Sequence, residues 1–185
     1  MLPSLWRYFG AAFFSLNAIN TVLVFMAVYA KQGLGFSEAR MVRFFLFSQV
    51  AAVAGALVFA RLIPRWGAKR ALGRIWAGWL AALVLIGLQP QGPWVWVAGP
   101  VIGFCLGPTW ATGRVLVMEL APKDHLAEMF GLAGLFARAS TIAGPLLWGL
   151  LIKATGRYEA GLAALMGLLA VGIWLLRRVP EPDHP

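Results

Sequence analysis

Six long apolar runs separated by short polar or basic interruptions fill nearly the whole chain, at residues 6–30, 40–62, 71–88, 94–120, 126–152 and 160–176. An α-helix needs about 20 mainly apolar residues to cross a hydrocarbon core about 30 Å thick, and each run is near or above that length. The pattern predicts an all-α membrane protein, a single six-helix transmembrane domain over residues 1–185, with little chain left for a soluble part. Between the second and third runs, Arg61, Arg65, Lys69, Arg70 and Arg74 crowd into fourteen residues. Short connections rich in Lys and Arg stay on the cytoplasmic side during insertion, so this hairpin sets the orientation. With the N-terminus inside, nine Lys and Arg fall on cytoplasmic segments against five on the other face. Both termini are therefore expected to be cytoplasmic.

Composition agrees. The chain is 61% hydrophobic and 12% charged, against roughly a quarter charged in soluble proteins. The net charge of +9 sits at span ends rather than on a soluble face with interleaved aromatics, which points to anionic lipid headgroups and away from nucleic acid. The single cysteine, Cys105, lies inside an apolar run; an internal disulfide and a thiolate metal cluster are excluded, and a packing role is expected. The first run is too long for a signal-peptide core and lacks a small-residue cleavage site, so it is expected to be retained.

Polar residues inside the spans are the candidates for chemistry. Asn17 and Asn20 lie three residues apart on one face of the first span, Gln49 near the middle of the second, Arg114 within the fourth and Arg138 within the fifth. At 1.5 Å per residue, Arg138 is about 18 Å into its span and the two asparagines about 16 to 21 Å into theirs, near the bilayer midplane. A charge there costs about 2.5 to 3.5 kcal/mol even on the lenient insertion scale, so it should face a cavity or a partner. Arg138 is the leading candidate to receive an anionic group of a solute; tying helices together through backbone carbonyls or the amides is the structural alternative. Arg114 would line an inner vestibule, or snorkel and pair with Glu119 or Glu128. Asn17, Asn20 and Gln49 would hydrogen-bond solute or join helices.

The glycines and prolines at Gly99-Pro100, Gly103, Gly107-Pro108, Gly113 and Gly144-Pro145 predict interrupted fourth and fifth helices. The third run, apolar apart from Arg74, is expected to face lipid. A neutral link at residues 89–93, followed by Trp94 and Trp96, reads as an interface belt on the opposite side. No Asp or Glu lies centrally in any span, and His125 and His184 fall in a loop and the tail, which favours exchange or efflux over a proton relay within this chain. There is no phosphate-binding loop, metal-ligand spacing or catalytic carboxylate pair, so no enzyme, cofactor or metal is expected.

The basic hairpin, Ala60 through Arg70, resembles the signature loop of the major facilitator superfamily, Gly-x-x-x-Asp-Arg-x-Gly-basic-basic. Arg65, Gly67, Lys69 and Arg70 fit it, whereas Ala60 departs from it and Pro64 stands where the acid would be. Further stretches are similar to the C-terminal half of one branch, the vacuolar amino-acid effluxer-like family: Asn17 to Val22, Gly55 to Phe59, Gly67 to Leu72, Gly107 to Arg114, Glu128 to Gly131 and Gly144 to Leu150. The resemblance implies one half of a twelve-helix fold, whose solute path runs between two halves related by an axis along the membrane normal. Six helices alone would leave cavity-lining faces against lipid. The resemblance thus implies a parallel homodimer or a separately encoded N-terminal half, a fragment of a longer chain being the alternative. The implied function is a subunit that moves a small polar or anionic solute, an amino acid by family analogy, through alternating access. The competing expectation is a non-transporting membrane scaffold or assembly subunit.

Overall fold

A computed structural model describes residues 2–88 and 93–181. The link at residues 89–92 and the tail from residue 182, with His184, lie outside the described residues. Six helices make up the fold: α1 (Leu2–Val28), α2 (Glu38–Trp66), α3 (Ala68–Leu88), α4 (Val95–Leu120), α5 (Leu126–Thr155) and α6 (Tyr158–Arg177). All six are long and apolar enough to cross a membrane. A single π turn at Tyr29–Gly33 extends α1.

Local signals explain several boundaries. Ser37 caps α2 by accepting from the Arg40 N–H at 3.4 Å, with Glu38 in the first turn where a carboxylate suits the helix dipole. α2 then runs on through Pro64, and Gly67 alone separates it from α3. That residue has φ 80°, a conformation open to glycine, and its N–H closes α2 on Ile63 O at 2.9 Å. The five hairpin cations therefore ride on helix ends rather than on a loop.

Reading along contacts, the helices follow one another as α2, α4, α3, α6, α1, α5, so that each half of the chain lends a helix to the other. α2 packs on α4 and α5 packs on α1. The contacts of α1, α2 and α3 thus recur in α4, α5 and α6, as in two three-helix repeats.

Two expectations are corrected. The third helix does not simply face lipid: Ala71, Leu72, Ile75, Trp76, Trp79, Ala82, Leu83 and Ile86 are buried, mainly against α4 and α6. Hydropathy cannot tell these surroundings apart, because lipid tails and packed side chains are equally apolar. The exposed helices are instead α2 and α5, with 17% of their most apolar windows buried, compared with 44% in α1, α3 and α4.

The second correction concerns the glycine and proline positions, which do not interrupt α4 or α5. Both helices are continuous through Pro100, Pro108 and Pro145. The glycines serve close packing instead. A Cβ on Gly55 would stand 1.9 Å from Phe104 O, one on Gly103 1.9 Å from Ser48 O, and one on Gly107 2.2 Å from Ala52 O. The backbones of α2 and α4 can approach this closely only where no side chain intervenes. Phe104 O is also the carbonyl that loses its i+4 donor to Pro108, and the Gly55 backbone comes up against it.

Candidate functional site: the faces of α1 and α4

α1 and α4 barely touch, and two concavities flank the line between them. One lies toward the end of the bundle where α1 begins and α6 ends, closed by α3 and α5, with a volume of about 310 Å³. The other lies toward the opposite end, closed by α2, at about 320 Å³.

Aromatic side chains dominate the wall of the first: Phe9, Trp76, Trp110, Phe130 and Phe136, with Phe9 and Phe136 stacked at 5.3 Å between ring centroids. Tyr8 bridges α1 to α4 here, its hydroxyl donating to Gly113 O at 3.1 Å. Arg114 is the one charged side chain on this wall, and among the described residues no carboxylate forms an ion pair with it. Thr109 accepts from Trp79 Nε1 at 3.2 Å and donates to Cys105 O at 2.7 Å. Trp76, three residues before Trp79 on the same helix, is 1% exposed, and its buried indole N–H has no acceptor. Sequence reasoning missed Trp76 and Thr109, which stand in apolar runs as ordinary span residues, and read Tyr8 as part of an interfacial anchor with Trp6 and Arg7; the pair of tryptophans three apart is the signal that was available.

The second concavity holds Ser48 and Gln49 among apolar side chains. Ser48 turns its hydroxyl back to Phe44 O at 2.9 Å, so Gln49, which is exposed, brings the uncommitted polar group.

The candidates divide as follows. Arg114 lines the first concavity and Gln49 the second. Asn17 is buried where α1 meets α5, its Nδ2 donating to Phe13 O at 2.7 Å, and its backbone oxygen would lie 2.4 Å from a Cβ on Gly144. Asn20 donates to Ser140 Oγ at 3.1 Å and so joins α1 to α5. Arg138 lines neither concavity; it is exposed on α5 with no ion-pair partner among the described residues. The structure does not bring Arg138, Asn17 and Asn20 into one cavity.

One regularity links Gln49 and Arg138. Gly55 of α2 meets the α4 backbone as Gly144 of α5 meets the α1 backbone, and each polar residue stands six positions before its glycine. Gln49 and Arg138 thus hold equivalent places in the two repeats.

Of the signature residues, Arg65 ends α2, Gly67 forms the junction, and Lys69 and Arg70 open α3. Arg70 makes a two-toothed contact with Glu181 of the tail, at 2.8 and 2.6 Å, and Arg74 lies over the Trp66 ring at 3.8 Å. Among the described residues no group of three His, Cys, Asp or Glu is placed to hold a metal.

The family described as Major Facilitator Superfamily matches residues 3–185. The chain belongs to that superfamily. Among its relatives within and beyond bacteria, the Bacillus subtilis (strain 168) protein named uncharacterized MFS-type transporter YxiO is 24% identical over 178 residues, which are 96% of this chain and 41% of that protein. An uncharacterized Aquifex aeolicus protein is 25% identical over 150 residues, 81% of this chain and 39% of its own length. Autophagy-related protein 22 of Chaetomium globosum is 33% identical over 90 residues, 46% of this chain and 14% of that protein. This superfamily member spans about two fifths of the length of the two bacterial relatives.

Proposed function

We propose that this superfamily member is one six-helix half of a secondary transporter that moves a small polar or anionic solute by alternating access. The observation that carries the reading is the exposure of Gln49 and Arg138 at equivalent mid-helix places on α2 and α5. Arg138 stands about 18 Å along α5, where a lipid-facing charge costs about 2.5 to 3.5 kcal/mol. A second six-helix half laid over α2 and α5 turns that cost into a polar cavity wall. A parallel second copy, a separately encoded half and a further six-helix stretch of a longer chain are the forms this partner can take. Arg138 then receives an anionic group, Gln49 and Arg114 line the path, and the basic ends of α2 and α3 face anionic lipid on the cytoplasmic side together with both termini. The effluxer-like branch rests on the sequence stretches that resemble it, and the similarity to Bacillus subtilis and Aquifex aeolicus proteins supports a bacterial inner membrane.

The mass and subunit composition of the complex purified in nanodiscs test the assembly. Two copies, or one copy with an unlike six-helix chain, fit the reading, and a lone stable six-helix monomer refutes it. Flux into proteoliposomes tests the activity, with Arg138→Ala expected to abolish it. A scaffold subunit is the second reading, favoured by one observation: Asn20 is spent on the α1–α5 contact through Ser140. Recovery inside a large unrelated complex with no flux would decide for it.

A further inference from the structure

We infer that the concavity between α1, α3, α4 and α5 is a binding site for an amphiphilic monoanion, an aromatic or short hydrocarbon body carrying one carboxylate or a similar acceptor group. The inference rests on the transport reading in taking this cavity as the stretch of the solute path that Arg114 lines, and it narrows the solute's chemistry.

Three observations point the same way. The volume of about 310 Å³ is at the lower end for small-molecule sites and suits a body of one ring. Its wall is aromatic on several sides, which favours burial of an apolar body by area and ring contact. The polar groups are sorted by sign. Arg114, the charged side chain on the wall, offers a fork of donors, whereas the indole N–H of Trp79 behind it is already satisfied by Thr109. No carboxylate lines the cavity. An ammonium group would therefore meet the like charge of Arg114 with no wall carboxylate to offset it, so a zwitterionic amino acid is a poorer occupant than the acid lacking its amine.

The test compares three probes that share a phenylpropyl body: 3-phenylpropionate, its neutral amide, and L-phenylalanine. Each is titrated calorimetrically against the full chain in phosphatidylcholine nanodiscs at pH 7.4. Phenylpropionate is expected to bind at least about tenfold more tightly than the other two, the scale of a charge-assisted hydrogen bond. Arg114→Gln should erase the preference of acid over amide while leaving amide binding in place. Trp110→Ala should weaken both about two- to tenfold, because both lay the same ring against the aromatic wall. Equal binding of the three probes by the unaltered chain overturns the inference without recourse to any variant. So does an acid preference that survives Arg114→Gln, or loss of phenylpropionate binding when phosphatidylglycerol is included, which would make the cavity a lipid seat. Binding without flux in proteoliposomes leaves the inference standing and removes the transport reading; flux of a small polar solute without phenylpropionate binding does the reverse.

Discussion

Replacing Gly103 by alanine is the sharpest test of how α2 and α4 are held together. The added Cβ would stand 1.9 Å from Ser48 O, and real Cβ contacts essentially never fall under 3.0 Å, so the two backbones must part by about 1.1 Å. The obstacle is a carbonyl within a helix, which cannot swing aside as a side-chain tip can. The contacts at Gly55 and Gly107 lie in the same seam and are strained or opened by the same movement. A gap of 0.5–1 Å forfeits about a quarter to a half of each dispersion well, and overpacking typically costs about 1–3 kcal/mol. Three neighbouring close contacts place this case at the upper end, near 3 kcal/mol. The assay is reversible unfolding by sodium dodecyl sulfate in mixed micelles, followed by circular dichroism. Gly167→Ala on α6 serves as control, because nothing lies within 4 Å of its added Cβ; it should stay within about 1 kcal/mol of the unaltered protein. Equal stability of the two variants would refute the close seam and the packing role given to the α4 glycines.

Other expectations can be checked separately. A double-mutant cycle on Asn20→Ala and Ser140→Ala should show a coupling of about 0.6 kcal/mol and no more than about 1.7, the range for interhelical hydrogen bonds in membranes, and zero coupling would dismiss the bond. Arg138→Gln should leave the unfolding midpoint nearly unchanged, since the side chain has no ion-pair partner among the described residues, while flux falls by at least tenfold; a large stability loss with normal flux would make it a structural residue. Glu181→Gln should release the segment after α6, read as faster amide exchange at Val179 and Glu181, and high salt should mimic it in the unaltered chain because the pair with Arg70 is exposed. Cys105, buried against α3, should react with a membrane-impermeant maleimide only after unfolding, and labelling of the folded protein would contradict its position.

The six spans were legible because apolar run length translates directly into a crossing helix. What the runs could not show was which crossing helix faces what. α3 carries Trp76 and Trp79 into the interior, whereas the comparably apolar α2 turns Leu46, Phe47, Val50 and Val53 outward. Proline and glycine were legible as special positions but not in their effect. Pro108 reads as a break, yet neighbouring helices let α4 continue and its glycines admit another backbone. At the candidate site, Arg114 and Gln49 announced themselves as polar residues in apolar surroundings. The acceptor that Asn20 finds lies 120 residues away on α5, and the aromatic wall draws on four helices, so neither is written in local spacing.

The seams also decide how the bundle can deform. α2 is locked to α4 through Gly55, Gly103 and Gly107, and α5 to α1 through Gly144, while α1 and α4 are joined near one end by a single phenol-to-carbonyl bond. The bundle is thus two stiff pairs tied side by side through α3 and α6, with Tyr8 as a cross-brace between α1 and α4. If α1 and α4 hinge about that brace, a molecule seated in the aromatic chamber would act as a wedge at one end, and the opposite mouth would narrow because of geometry rather than any contact with the occupant.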